Sequence, residues 1–188
     1  MSKIQNGTTE TMNQVQTGTS LPKITAKQLT IDAMFVALTL VFTAFINIQL
    51  PSAMGGLIHL GNIPMFVAAM LFGKRSGAIA GGVGMAVFDL LSGWTLYAPC
   101  TFIVVGLMGY TTGAISNVKK LNRHAARILA MVIACVIKVA GYYVYEVFLY
   151  DSFYVPVASI PGNITQVFLA AIVVMIIIQP LSKLMKRA

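Results

Sequence analysis

Residues 128–149 read ILAMVIACVIKVAGYYVYEVFL, an apolar run interrupted only by Lys138 and Glu146. As a helix, roughly 22 residues rise about 33 Å, enough to cross the ~30 Å hydrocarbon core of a bilayer. Outward from this stretch, similar runs recur at Leu29–Ile48, Gly77–Ser92, Ala98–Asn117 and Asn163–Leu184, with a shorter one at Ile63–Phe72. Composition agrees: of 188 residues 57% are hydrophobic and only 10% charged, with a mean hydropathy of +0.82. Soluble domains carry about 25% charged residues. A chain this poor in charge cannot coat a water-facing surface of its size, which excludes a water-soluble enzyme. The expected fold is an all-α integral membrane protein, a six-transmembrane-helix bundle.

The second run is short, since Ile63–Phe72 rises only about 15 Å. The preceding Ala53–Asn62 must supply the rest, and it holds Gly55, Gly56, His59, Gly61 and Asn62. Irregular polar backbone at membrane depth is tolerated where protein buries it or where it lines a cavity, so this first outer loop is expected to fold back into the bundle. Residues 1–26, rich in Thr, Gln, Asn and Ser, read as a disordered cytoplasmic tail, leaving 27–188 as the transmembrane domain. The tail, the tight turn Gly73-Lys74-Arg75-Ser76, the 118–127 loop and the C-terminus hold every Lys and Arg except Lys138; the 48–61, 93–97 and 150–162 loops hold none. The positive-inside rule then places both termini in the cytoplasm of a plasma membrane. The same distribution reads the net charge of +8 as a topology signal, not a nucleic-acid footprint. Cys100 and Cys135 lie inside apolar runs and read as small hydrophobes.

Lys138 lies too deep in its helix to snorkel, and an ionisable group at that depth is a candidate functional site. The alternative is a structural pair with Asp89. Tyr142, Tyr145, Glu146 and Leu149 share the face of Lys138, a stripe suited to a flat heteroaromatic ligand; the alternative, a tyrosine belt at the outer interface, suits Tyr150 and Tyr154. Asn163 and Gln166 open the sixth helix on one face; Asn163 after Pro-Gly also reads as an N-cap. His59 and Asn62 in the inward loop, and Trp94 and Tyr97 between the third and fourth spans, complete a candidate site in the outer half of the bundle. Asp32 reads as a carboxylate meeting the first helix's N-terminal dipole. Gly77, Gly81, Gly82 and Gly84 read as close helix packing, and Ala33, Ala37 and Ala44 as a small-residue stripe that admits another helix. There is no Walker A lysine, no HExxH and no nucleophile elbow, so neither ATP hydrolysis nor a metal or other cofactor is expected.

In order along the chain, Asn62-Ile-Pro-Met-Phe, Phe72-Gly-Lys-Arg-Ser-Gly-Ala, Asp89-Leu-Leu-Ser-Gly-Trp, Tyr97-Ala-Pro, Gly106-Leu-Met-Gly, Gly141-Tyr142 with Glu146, and Gly162-Asn163-Ile-Thr-Gln166 resemble the substrate-binding S components of energy-coupling factor (ECF) vitamin transporters. The resemblance spans about residues 28–185. It implies a six-helix bundle that captures a vitamin from outside and works with the transmembrane coupling subunit EcfT and two ABC ATPases, EcfA and EcfA'. It also implies that the Ala-x-x-x-Ala of the first helix, here Ala33 and Ala37, docks on the coupling subunit. The sequence looks similar to the branch of riboflavin, pyridoxine and hydroxymethylpyrimidine carriers. Relatives there often carry a lysine before Gly-Leu-Met-Gly; here that position is Val105, and Lys138 would replace the charge. Pyridoxine or the thiamine-precursor pyrimidine is favoured over riboflavin, because a small ring suits the polar residues named and an isoalloxazine wants more apolar stacking surface.

Two other classes compete. An intramembrane enzyme has potential acid–base groups in Lys138, His59 and Glu146, but five scattered acidic residues offer no carboxylate cluster for a metal. A stand-alone carrier would show more intramembrane acids or an internal repeat.

Overall fold

The structure, a computed structural model, describes residues 24–49, 57–118 and 120–185. Positions 1–23 of the expected tail, Gly55 and Gly56 of the inward loop, Lys119, and Lys186 and Arg187 lie outside the described residues. In chain order come α1 Ala26–Phe45, strands β1 Asn47–Gln49 and β2 Leu57–His59, α2 Asn62–Phe72, α3 Lys74–Leu91, α4 Ala98–Ser116, α5 Arg123–Tyr150, a 3-10 turn Val155–Ser159 and α6 Ile160–Leu184. By length and composition, α1, α4, α5 and the stretch Val155–Leu184 can each cross a membrane. Their outward side chains, among them Phe45, Ile103, Val136, Phe148 and Ile176, are apolar and exposed, the surface of a protein whose solvent is lipid.

Beyond Asn62, helix α2 is apolar on every side and is the centre of the bundle. Met65, Phe66, Ala68 and Ala69 are wholly inaccessible, as expected of a helix with no polar face. This accounts for its shortness: a central helix covered by its neighbours need not match the hydrocarbon thickness alone. Gly73, at φ 94°, is the sole residue between α2 and α3; glycine adopts that left-handed backbone without a Cβ clash. The expected four-residue turn therefore shrinks to one, and Lys74 and Arg75 open α3.

Helix α3 packs on α4 through glycines. A Cβ on Gly82 would lie 2.9 Å from the Phe102 carbonyl oxygen and 3.2 Å from Gly106 Cα, and one on Gly84 would lie 2.9 Å from the Val36 carbonyl oxygen of α1. Such backbone contact is what small residues in membrane helices permit, in keeping with the sequence reading.

Three expectations change. The first helix ends at Phe45 and not Ile48, because Asn47 Nδ2 turns back to the Thr43 and Ala44 carbonyls at 3.0 and 2.6 Å and caps the last turn. The chain then forms an antiparallel hairpin with Asn47 opposite His59 and Ile48 opposite Ile58, so the fold is mostly helical, not purely so. Asp32 is no dipole partner, since α1 starts at Ala26 and places it in the second turn. It is buried, accepts from Gln28 Nε2 at 3.1 Å and lies 3.8 Å from Arg75 Nη2. Gln28 also donates to Ser76 Oγ at 2.7 Å, tying α1 to the start of α3.

Candidate functional site

A cavity of about 140 Å³ opens between the hairpin, the α3–α4 turn, α5 and the start of α6. Helix α5 supplies one wall, because Lys138, Tyr142 and Glu146 recur every four residues and fall on one face. Lys138, 1% exposed, donates from Nζ to Gln166 Oε1 at 2.7 Å. The same Gln166 donates from Nε2 to the Leu57 carbonyl at 2.6 Å, so one amide ties α5, α6 and the hairpin together. The ammonium also stands 5.7 Å from the Tyr142 ring centroid, within reach of a cation–π attraction. Tyr142 Oη shares a 2.9 Å hydrogen bond with Thr101 Oγ1. Glu146 accepts from Ser159 Oγ at 2.6 Å, and that hydroxyl also reaches the Pro156 carbonyl at 2.9 Å.

Aromatic residues close the outer end. Trp94 meets Tyr97 edge-on with centroids 5.7 Å apart, and Tyr97 meets Tyr145 at the same distance. Tyr97 and Tyr150 hydroxyls are 2.8 Å apart, and Tyr145 donates to the Leu96 carbonyl. His59, on β2, lines the cavity. Its Nδ1 accepts from the Gly61 N–H at 3.3 Å.

Of the ten residues singled out in the sequence, His59, Trp94, Tyr97, Lys138, Tyr142, Glu146, Asn163 and Gln166 line this one cavity. Two do not. Tyr145 lies behind Tyr97 as a buttress, and Asn62 is fully buried in the first turn of α2, with neither side-chain amide atom hydrogen-bonded among the described residues. Asn163 is not an N-cap: α6 begins at Ile160, so Asn163 falls one turn inside, 9% exposed and facing the cavity. Nor does Lys138 pair with Asp89; among the described residues the sole ion pair is Arg75–Asp32. Asp89 itself lines the cavity, as do Thr101, Ser159, Phe88 and Leu57. Thr101 was open to detection, standing one turn after Tyr97 on the same helical face, whereas nothing in the sequence marks Ser159.

A helical membrane chain with a small polar-walled cavity under an aromatic rim has the form of a membrane-embedded small-molecule-binding protein. Residues 23–183 match the family model described as ECF-type riboflavin transporter, S component, and the chain belongs to that family of S components, the substrate-binding subunits of ECF transporters. It is thus a transporter component and not an enzyme. The thiamine precursor transporter HmpT of Lactococcus lactis subsp. cremoris (strain MG1363) is 30% identical over 161 residues, covering 86% of this chain and 89% of that one. An uncharacterized protein of Pyrococcus woesei is 32% identical over 102 residues, covering 54% of this chain and 66% of its own. A solved S component of a bacterial ECF transporter superposes with a TM-score of 0.68 over 85% of this chain and 98% of that one, at 23% identity, a likeness of fold.

Proposed function

We propose that this chain captures a single-ring thiamine precursor of the hydroxymethylpyrimidine type from the outer side of the plasma membrane and presents it for ATP-driven import. The observation that carries this reading is the size of the cavity together with its polar wall. A cavity of about 150 Å³ holds a benzene-sized ring, so the 140 Å³ here suits one substituted six-membered ring. The HmpT relative supports the same choice, since its name records transport of a thiamine precursor. In this reading the eight cavity-lining residues named from the sequence bind the ligand, while Asn62 and Tyr145 shape its surroundings.

The working complex comprises EcfT and the ATPases EcfA and EcfA'. Ala33 and Ala37 are exposed on α1, while Asp32, Phe35 and Thr39 of that helix are buried, so the small-residue stripe faces outward and is free to receive a partner helix. The hairpin with α2, and α3, complete six crossing segments with both ends cytoplasmic; Lys27, Lys74, Arg75, Lys120, Arg123 and Lys183 then share the cytoplasmic side.

Calorimetry on the purified chain tests the ligand, with the hydroxymethylpyrimidine, pyridoxine and riboflavin titrated in parallel. The pyrimidine is expected to bind tightest; tighter binding of riboflavin would overturn the assignment.

A further inference from the structure

Apart from the aromatic rim, the polar groups that line the cavity fall into two sets. Lys138 with Gln166, Thr101 with Tyr142, and Glu146 with Ser159 are already joined by hydrogen bonds of 2.6 to 2.9 Å, and Asp89 has the Thr101 hydroxyl as its side-chain partner. The Asn163 amide and His59 Nε2 make no hydrogen bond among the described residues. Neither is sealed from solvent, and both belong to residues that line the cavity. An amide can turn over and offer its N–H or its oxygen, so Asn163 fixes no polarity. His59 does. A backbone N–H only donates, so Nδ1, which takes the Gly61 N–H at 3.3 Å, carries no proton, and the imidazole hydrogen resides on Nε2. The backbone on either side is held too: Leu60 N–H donates to the Ile46 carbonyl at 3.1 Å, and the Leu57 carbonyl takes Gln166 Nε2. A Cβ on Gly61 would collide with Thr43 Oγ1 and lie 3.1 Å from His59 Nδ1, so the approach of this N–H to the ring depends on glycine at that position.

We propose that His59 is a specificity-determining residue of this site, a fixed donor whose Nε2–H is met by an unprotonated ring nitrogen of the ligand. The inference rests on the single-ring reading above and deepens it, because it adds the class of the ring. A donor that cannot become an acceptor is matched by a lone pair fixed in the plane of a flat ring, which a pyrimidine nitrogen provides. A ring C–H at the same place sets hydrogen against hydrogen and leaves the imidazole N–H unanswered. Pyridoxine, whose zwitterion carries a proton on its ring nitrogen, brings a donor against a donor. A hydroxymethyl group does not discriminate in this way, since it can turn to donate or accept. Sites built to hydrogen-bond one substrate group reject analogues that lack it far more strongly than sites that select by packing alone. His59 thus separates a neutral aza-aromatic ring from a carbocycle of equal shape.

The test uses the full-length chain in detergent and two ligands of one shape: 4-amino-5-hydroxymethyl-2-methylpyrimidine and 2-amino-4-methylbenzyl alcohol, its counterpart with both ring nitrogens replaced by C–H. By calorimetry, wild type should prefer the pyrimidine about tenfold or more. His59→Phe should weaken pyrimidine binding by about the same factor and leave the benzyl alcohol nearly unchanged. His59→Gln, whose amide can donate from near the position of Nε2, should keep part of the preference. The tautomer is read separately by NMR on protein labelled with nitrogen-15 histidine; the chain has two histidines, and His124→Gln identifies the other signal. His59 should carry its hydrogen on Nε2, and that resonance should move with the pyrimidine but not with the benzyl alcohol. A hydrogen on Nδ1, equal wild-type affinity for the two ligands, or parallel losses of both in a folded His59→Phe would overturn the role of His59 while leaving the single-ring reading intact. Should His59→Phe fail to fold, the wild-type preference and the Nε2 resonance decide. If folded wild type binds riboflavin and neither single-ring compound, the single-ring reading falls, and this assignment with it.

Discussion

A lysine in the middle of a membrane-spanning helix is stable only if its ammonium is answered, and here the answer is Gln166. The proposed site therefore makes a sharp claim about this pair. Lys138→Met leaves Gln166 Oε1 without a donor, and Gln166→Ala leaves the ammonium buried alone and frees the Leu57 carbonyl. Each should weaken ligand binding by about 1–3 kcal/mol, the cost of an unsatisfied buried polar group, or roughly ten- to a hundredfold in Kd. Calorimetry with melting curves on the same samples checks this; a lowered melting temperature with unchanged affinity would assign the pair to stability alone. The importance of Lys138 was readable because a lone charge stands out in an apolar run. Its partner was not, because the choice between Asp89 and Gln166 depends on how α6 is registered against α5, and periodicity within a single helix carries no such information. Asn163 misled for a related reason: Pro-Gly-Asn is a good helix start locally, but α6 gains a further turn by beginning on the 3-10 segment.

Among the elements, α1 has two faces with different duties. Its buried face carries Asp32, Phe35, Thr39 and Thr43, which join it to the bundle, while Ala33 and Ala37 point away. With Ala33→Leu and Ala37→Leu combined, the docking surface proposed for EcfT gains bulk with no penalty inside the bundle. Co-purification with EcfT should fall sharply while ligand affinity of the isolated chain stays at the wild-type level. Full recovery of the complex would remove α1 from the interface. The long helices were readable from their apolar runs, since length and hydropathy set them with little help from tertiary contacts. The hairpin was readable only as an inward fold, because strands of three residues are too short to display an alternating pattern. Asn47, which ends α1 by reaching back to two carbonyls, is a local event that hydropathy does not register.

At the scale of the whole molecule, membership of the S-component family makes the chain a substrate-binding subunit. Reconstituted alone in vesicles, it should bind the pyrimidine yet show no uptake above the external concentration, with accumulation appearing only when EcfT, the ATPases and ATP are supplied. Accumulation by the chain alone would contradict its reading as a capture subunit. The helical membrane plan was accessible from the apolar runs, a global and redundant signal, whereas the cavity depends on a few side chains meeting across β2, α3, α4, α5, the 3-10 turn and α6. That difference carries an evolutionary consequence. The seam between α3 and α4 is made by Gly82 and Gly106 approaching backbone to backbone, and it shares no residue with the cavity wall. Selection can therefore alter residues of the cavity wall and redirect the ligand without disturbing that seam. A lineage built this way is free to diversify its cargo while its architecture stays fixed.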